Sequence, residues 1–553
     1  MPHPHYNPFS FQAVQRVMNA ASPGPPGHTD IPQEAVGPLQ EAGRALGLGQ
    51  PDVAERALQR VLERFPGLAE AHRLLGIAAL MRGERPAAVA HLRKVLAQRP
   101  ADAVIHMNLG SALVESGETG AGLAHLERAC ELASGNAEYW CNLGVGYQFA
   151  EKLEPARDAF ARAVALEPGH IRSRIKLAYA LIILGETAAA VSTLRGTLRL
   201  QPDCVQAWEA LGNLKTERLG LEDVRQLRQL LARAGMPDEM RISLAFTLAK
   251  ALEDQSDYDA AYDVVAQANA LQRRHVYWSR DEERARVDAI AQAFSEDMPD
   301  PVDSELGKEV IFVVHLPRSG STLTEQILAA HPQVRGGDEL LVLPDILDQE
   351  SARRGKPFPQ WVPEASREDW RRLGEDYLSR TRQVRGEHAR LTDKTPNNWA
   401  FVGAALAMLP GARVVNARRD PLETCFSCFR QRFQVGCVFT YDLDDMVDYY
   451  AGYQRLSALW RQAYPQRYFE NDYERLQEDT EGQIRRLLEF CELPFDPACL
   501  DFHRARRTVS TFSSAQVRQP LQRDTARSAR YGARLDPLRE KLRAAGIPLS
   551  GHP

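Results

Sequence analysis

With 553 residues, the chain is long enough that several domains are expected, and its formal net charge of −5 gives no basic signature for nucleic acid. Apolar residues make up 44% and charged residues 25%, the balance of an ordinary globular protein rather than a disordered one. No apolar run approaches the roughly 18 residues a membrane helix needs, so neither nucleic acid nor membrane is an expected partner.

The first 35 residues are rich in Pro and Gly, carry His3 and His5, and read as a disordered arm. They lack a basic start followed by an apolar core, so no secretory leader is expected. The eight cysteines are scattered, which fits a reducing, cytoplasmic setting. Cys425 and Cys428 form a C-x-x-C beside Phe426 and Phe429 with no second pair to complete a metal set. They read as small packing residues, and no metal is expected.

From residue 36 to 216 the chain repeats itself. Pro66, Pro100, Pro168 and Pro202 are separated by multiples of 34, and Ser134 fills the vacant slot. Gly76, Gly110, Gly144 and Gly212 keep the same register, with Ala178 between, and so do Ala88, Gly122, Ala156 and Ala190. A 34-residue period with small residues at helix contacts and Pro closing the second helix is that of tetratricopeptide repeats. Each unit is a helix hairpin that buries its apolar face only against its neighbours, so an all-α solenoid is expected. Asn108 and Asn142 precede the repeated Gly by two residues. By resemblance to peptide-binding repeats they should line the groove and hold a ligand backbone. Residues 217–300 read as a divergent helix hairpin and connecting helices, ending in a Pro- and acid-rich boundary near 297–305.

The second half, 307–553, alternates helical patterns with short apolar strands at Val310–Val314, Arg413–Ala417 and Arg467–Glu470. That alternation predicts a central parallel sheet with helices on both faces and ligands beyond the carboxyl ends of the strands. The run VIFVVHLPRSGSTLTEQILAAHP, from Val310, reads as strand, tight loop and helix start. Free N–H groups and the positive helix end suit a bound anion. Arg318 adds a forked cation, and Ser319, Gly320, Ser321 and Thr322 add hydroxyls and a close backbone. The Gly-Lys of a nucleotide-triphosphate loop is missing.

Pro-Arg-Ser-Gly-Ser-Thr, followed by HP-x-V-R-x-G, resembles the 5′-phosphosulfate loop of sulfotransferases that use 3′-phosphoadenosine-5′-phosphosulfate (PAPS), above all the tyrosylprotein sulfotransferases and their bacterial repeat-bearing relatives. The resemblance implies a P-loop-like α/β catalytic domain. It implies Glu339, after Gly336-Gly337-Asp338, as the general base, with Asp338 the adjacent alternative. It makes Lys394, before Thr395-Pro396, the second cation beside Arg318 at the transferring group. Arg419 and Ser427 become the 3′-phosphate site, and Tyr473 lies near the nucleotide. In the basic stretch between Arg504 and Arg534, Ser513, Gln516 and Arg530 match a loop that closes over the nucleotide, with Arg527 competing for the place of Arg530.

The expected whole is an α plus α/β chain: a PAPS-dependent sulfotransferase whose repeats recruit a peptide or protein, with tyrosine the leading acceptor. Two alternatives stand beside it. One is a carbohydrate or small-molecule sulfotransferase with repeats used for assembly, the other a catalytically inactive repeat scaffold.

Overall fold

The computed structural model describes residues 31–214, 217–295, 302–433, 436–504 and 527–549. Two compact units divide the chain, one running through Pro202 and the other from Asp203.

The first unit is built of paired helices. Gln33–Gly47 packs with Pro51–Arg64, Ala69–Arg82 with Arg85–Gln98, Ala103–Glu115 with Thr119–Leu132, Ala137–Phe149 with Leu153–Leu166, and Ile171–Leu184 with Thr187–Leu200. The opening helix begins inside the stretch expected to be a disordered arm. Ala35, Leu39, Ala42 and Leu46 give it a buried stripe at helical spacing. Residues 1–30 lie outside the described residues.

The repeated small residues sit where helices touch. A Cβ on Gly110 would stand 2.8 Å from the carbonyl oxygen of Gly122, and one on Gly122 would stand 2.7 Å from that of Gly110. The closing position of each repeat has a second use. Its carbonyl accepts a hydrogen bond from the side chain six residues on: His72 to Pro66 at 2.9 Å, His106 to Pro100 at 3.0 Å, Trp140 to Ser134 at 2.9 Å and Arg174 to Pro168 at 2.5 Å. Every residue carries a carbonyl, so Ser134 can serve where the period calls for Pro.

The second unit holds the sheet. Its strands are β1 Val310–His315, β2 Val334–Gly336, β3 Arg390–Asp393, β4 Arg413–Arg418 and β5 Tyr468–Asp472. Their order is β2-β3-β1-β4-β5, and every pairing is parallel. Central β1 is buried at all six positions, as its unbroken apolar run requires. Ile311, Val313, Val415 and Ala417 pack on Leu323, Ile327 and Leu328 of the following helix, Ser321–Ala329, and on Ile484 and Leu487 of the helix Thr480–Phe490. Strands β2 and β3 escaped the sequence reading because they are three and four residues long and carry Arg335, Arg390 and Asp393.

The helices Val205–Asn213, Leu221–Leu231, Asp238–Asp254, Tyr258–Arg273 and Arg280–Ala293 also belong to this second unit. The expected boundary near residue 300 therefore falls inside a compact body. The reason lies in their buried polar and aromatic groups. Asn269 Nδ2 donates to the Phe429 carbonyl at 2.8 Å, and Arg273 pairs with buried Asp445 at 2.7 Å. Glu253 pairs with Arg430, and the Trp278 ring lies 5.7 Å from both Phe439 and Tyr449.

These partners predict different fates for two truncated chains. One beginning at Asp203 should melt cooperatively. One beginning at Pro301 would leave Asp445, Phe439 and Tyr449 uncovered and should show no cooperative transition. Calorimetry of the two decides; equal, cooperative melting would restore the boundary near residue 300.

Candidate active site

Five parallel strands direct five loops to one edge of the sheet, and the chain changes sides of the sheet beside β1. Each loop brings one of the residues singled out in the sequence. Arg318 follows β1, Glu339 follows β2, Lys394 follows β3, Arg419 follows β4 and Tyr473 follows β5.

After β1, Arg318 turns the loop with φ 69° and Gly320 with φ 92°. Gly320 is also required by space, because a Cβ there would lie 2.8 Å from the Tyr473 ring. Ser319 is buried, and among the described residues its hydroxyl has no hydrogen-bond partner. The helix Ser321–Ala329 then starts with Ser321 and Thr322 in its first turn. Asn471 of β5 donates to Thr324 Oγ1 at 3.0 Å, which fixes this helix against the far side of the sheet.

Arg318 Nε donates to Ser427 Oγ at 3.2 Å, so the loop after β1 meets the helix Pro421–Phe429 directly. Burial pushes the Arg318 guanidinium down to about 10; Cys428 opposes this, while the charges of Arg419, Arg430 and Arg527 add to it. Several cations thus converge on one small volume. Arg419 lies over the Tyr473 ring at 5.1 Å and pairs with Glu423 at 3.4 Å. Glu423 also accepts the backbone N–H groups of Arg527 and Ser528 at 3.1 and 2.8 Å. Glu253 bridges Arg430 and Arg527.

Arg527 stands in the arginine cluster, and Arg530, exposed, adds its charge beside Arg527. Ser513 and Gln516 lie outside the described residues. Cys425 and Cys428 are buried thiols, and Cys428 Sγ contacts the Pro317 carbonyl at 3.2 Å.

The other half of the site is acidic. Lys394 is 1% exposed, and its Nζ lies 3.1 Å from Asp338 Oδ1 and 3.3 Å from Glu339 Oε1. Burial alone would lower its pKa. The carboxylates of Glu325, Asp338 and Glu339 outweigh that and raise it. The Lys394 N–H donates to the Asp338 carbonyl at 2.8 Å, which locks the two loops together. Buried Asp393 accepts from Tyr377 and from Thr395 Oγ1, both at 2.8 Å, and so holds the base of the lysine loop.

Neither glycine of Gly336-Gly337 takes a left-handed backbone. Positive φ occurs at Asp338 (60°) and Leu341 (56°) instead. Gly337 is needed because a Cβ there would run into the Thr392 carbonyl, to which its own N–H donates at 3.1 Å. The helix that follows begins at Val342 with Leu341 at its cap, so neither acid serves as the cap.

Sequence reasoning missed Glu253, Glu325, Glu423 and His315. Glu325 is buried on the anion-loop helix, a position that its place four residues after Ser321 could have flagged. His315 ends β1; burial, with Lys394 nearby, lowers its pKa to about 4 and leaves it neutral.

In the first unit, Asn108 is 0% exposed, and among the described residues neither polar atom of its side chain has a hydrogen-bond partner. It does not face an open groove, because the helix Ala103–Glu115 is buried around most of its girth. Asn142 is half-buried and accepts from Arg172 at 3.1 Å, with Glu138 beside it. The same register continues at Lys176, whose pKa burial and Arg172 lower to about 8.

Residues 310–497 match the profile of the sulfotransferase family, and residues 39–103 and 82–137 match that of the tetratricopeptide repeat. The chain therefore joins tetratricopeptide repeats to a sulfotransferase-family domain. A protein of Aquifex aeolicus (strain VF5) is 31% identical over 412 residues, 72% of this chain and 52% of its own length. This chain thus spans about half of that relative. A putative protein-tyrosine sulfotransferase of Caenorhabditis briggsae is 27% identical over 222 residues, 39% of this chain and 78% of that protein. Among solved structures, MamA (residue 41 to the end) from Desulfovibrio magneticus RS-1 is 24% identical, covering 32% of this chain and 99% of that one, with a TM-score of 0.29.

Proposed function

We propose that the protein is a PAPS-dependent sulfotransferase that acts on an acceptor hydroxyl. The observation that carries this reading is the convergence of Arg318, Ser427 and Arg419 beside the buried Ser319 hydroxyl, unpaired among the described residues, at a helix N-terminus. The donor set fits a molecule with anionic groups at both ends: Ser319, Gly320, Ser321, Thr322 and Arg318 for the phosphosulfate, Arg419 and Ser427 for the 3′-phosphate. Tyr473 offers its ring beside the nucleotide, and Arg527 offers a further cation, with Arg530 three residues on at the surface. PAPS would supply an activated sulfuryl group.

The chain's own residues supply positioning and charge. To Glu339 we assign removal of the acceptor's proton, which an alcohol or phenol needs to become a competent nucleophile. Lys394 and Arg318 put fixed positive charge where negative charge spreads during a loose, in-line transfer. Lys394 also holds Glu339 by an ion pair, which fixes the carboxylate beside the lysine loop.

For the acceptor we propose a tyrosine of a protein or peptide recruited by the repeats, supported by the likeness to a putative protein-tyrosine sulfotransferase. Asn142 with Arg172 and Lys176 is the polar face we assign to recruitment; buried Asn108 would act through the packing of its helix. The setting we propose is the cytoplasm. All eight cysteines are free thiols, and among the described residues no helix is long and apolar enough to cross a membrane.

Arg419→Ala should weaken binding of PAP, the desulfated nucleotide, by about 1.5–3 kcal/mol, the scale of a charge-assisted hydrogen bond. Calorimetry reads this, and tighter binding of ATP than of PAP in the wild type would remove the nucleotide assignment. Glu339→Gln should keep PAP affinity while turnover from labelled PAPS drops by roughly a hundredfold or more. An active Glu339→Gln beside an inactive Asp338→Asn would exchange their roles.

A further inference from the structure

Glu325 is a buried carboxylate that none of the steps above uses. It lies on the helix Ser321–Ala329 and is 1% exposed. Its Oε1 accepts the Asp338 N–H at 2.9 Å and the Thr392 hydroxyl at 2.8 Å. Thr392 belongs to β3, and its own Oγ1 accepts the Gly337 N–H at 3.1 Å. One carboxylate therefore ties together the helix after β1, the loop after β2 and strand β3.

The loop it holds is under strain. Asp338 and Leu341 both take left-handed backbone angles, which are unfavourable in a residue with a side chain. Such a loop stays put only if its surroundings fix it, and Glu325 supplies the bond at Asp338, one residue before Glu339.

The same carboxylate acts on Lys394. The ammonium is faced by Glu325 from the helix, by Asp338 and Glu339 from the loop after β2, and by neutral His315 from β1, with Asp393 preceding it on β3. Among the charges that offset its burial, Glu325 contributes most. Asp338 and Glu339 are partly exposed, whereas Glu325 is sealed from water, so its charge is the least screened of the three.

We propose that Glu325 is a positioning residue for the reaction read above: it presets the loop that carries Glu339 and backs the charge of Lys394. This assignment rests on the sulfotransferase reading for its meaning in turnover, but it has a readout of its own. Glu325→Gln keeps the size and the accepting oxygen and loses the charge. Glu325→Asp keeps the charge and draws the oxygen back from Asp338 and Thr392.

The test follows Lys394 by NMR of the full chain with 13Cε-labelled lysine, its signal assigned by its loss in Lys394→Arg. In the wild type Lys394 should stay protonated past the ordinary lysine value of 10.5, the direction in which its surroundings push it. In Glu325→Gln it should titrate at lower pH than in the wild type. In the transfer assay Glu325→Gln should keep PAP affinity within about twofold and lower kcat about 10- to 100-fold, the range of a mispositioned proton-transfer group. Its kcat/KM profile should lose its basic limb at lower pH, because a less basic Lys394 sheds its proton sooner. Glu325→Asp should lower kcat without moving that limb. An unshifted Lys394 titration in Glu325→Gln overturns the electrostatic half. Should that variant not fold, Lys394 in Glu325→Asp titrating with the wild type at wild-type kcat overturns the proposal. A wild-type protein inert towards PAPS would remove the sulfotransferase reading alone, since the titration would still report on Glu325.

Discussion

Parallel strands leave their last residues on one edge, and this geometric constraint governs the catalytic half of the chain. With β2-β3-β1-β4-β5 all pointing the same way, the loops carrying Glu339, Lys394, Arg318, Arg419 and Tyr473 must come together, although 155 positions separate Arg318 from Tyr473. Close packing among them follows. Gly320 has no room for a Cβ because Tyr473 is there, and Gly337 has none because Thr392 is there. Side chains that the sequence scatters thus become one surface.

That convergence concentrates charge, and the two halves of the site handle it in opposite ways. Among the described residues, the cations around Arg318 outnumber the acids paired with them. Arg419, Arg430 and Arg527 crowd it, and Glu253 and Glu423 answer them. The surplus suits a multiply charged anion. Around Lys394 the balance reverses, with Glu325, Asp338 and Glu339 about one ammonium. That surplus suits a place where a proton is to be accepted. A donor with phosphates on one side and an acceptor hydroxyl on the other would find each matched by its own half.

Much of this was legible in the sequence because it rests on local signals. A 34-residue period survives divergence, since small residues are enforced wherever helices touch, as Gly110 and Gly122 do. The strand–loop–helix at Val310 carries its own apolar run, its turn and its cations in a row. The losses have physical causes too. Strands β2 and β3 are too short and too polar to announce themselves. The turn beside Glu339 is made by Asp338 and Leu341, held left-handed by bonds to distant residues, while the glycines that invite the turn reading serve close approach. Arg527 joins the cluster because Glu423 and Glu253, far away in sequence, hold it. The helices after Asp203 look like more of the repeat, yet their partners Asp445, Phe439 and Arg430 lie more than 150 residues on. Burial of Asn108 likewise depends on neighbours that its own helix does not reveal.

The central claim is that the loops after β1, β4 and β5 form one nucleotide-binding edge. Hydrogen exchange of the full chain, with and without PAP, tests it most directly. Exchange should slow in the backbone of 316–324, 419–428 and 471–476 together, with the repeats before Pro202 unchanged. Protection confined to the repeats, or at only one of those three loops, would contradict it.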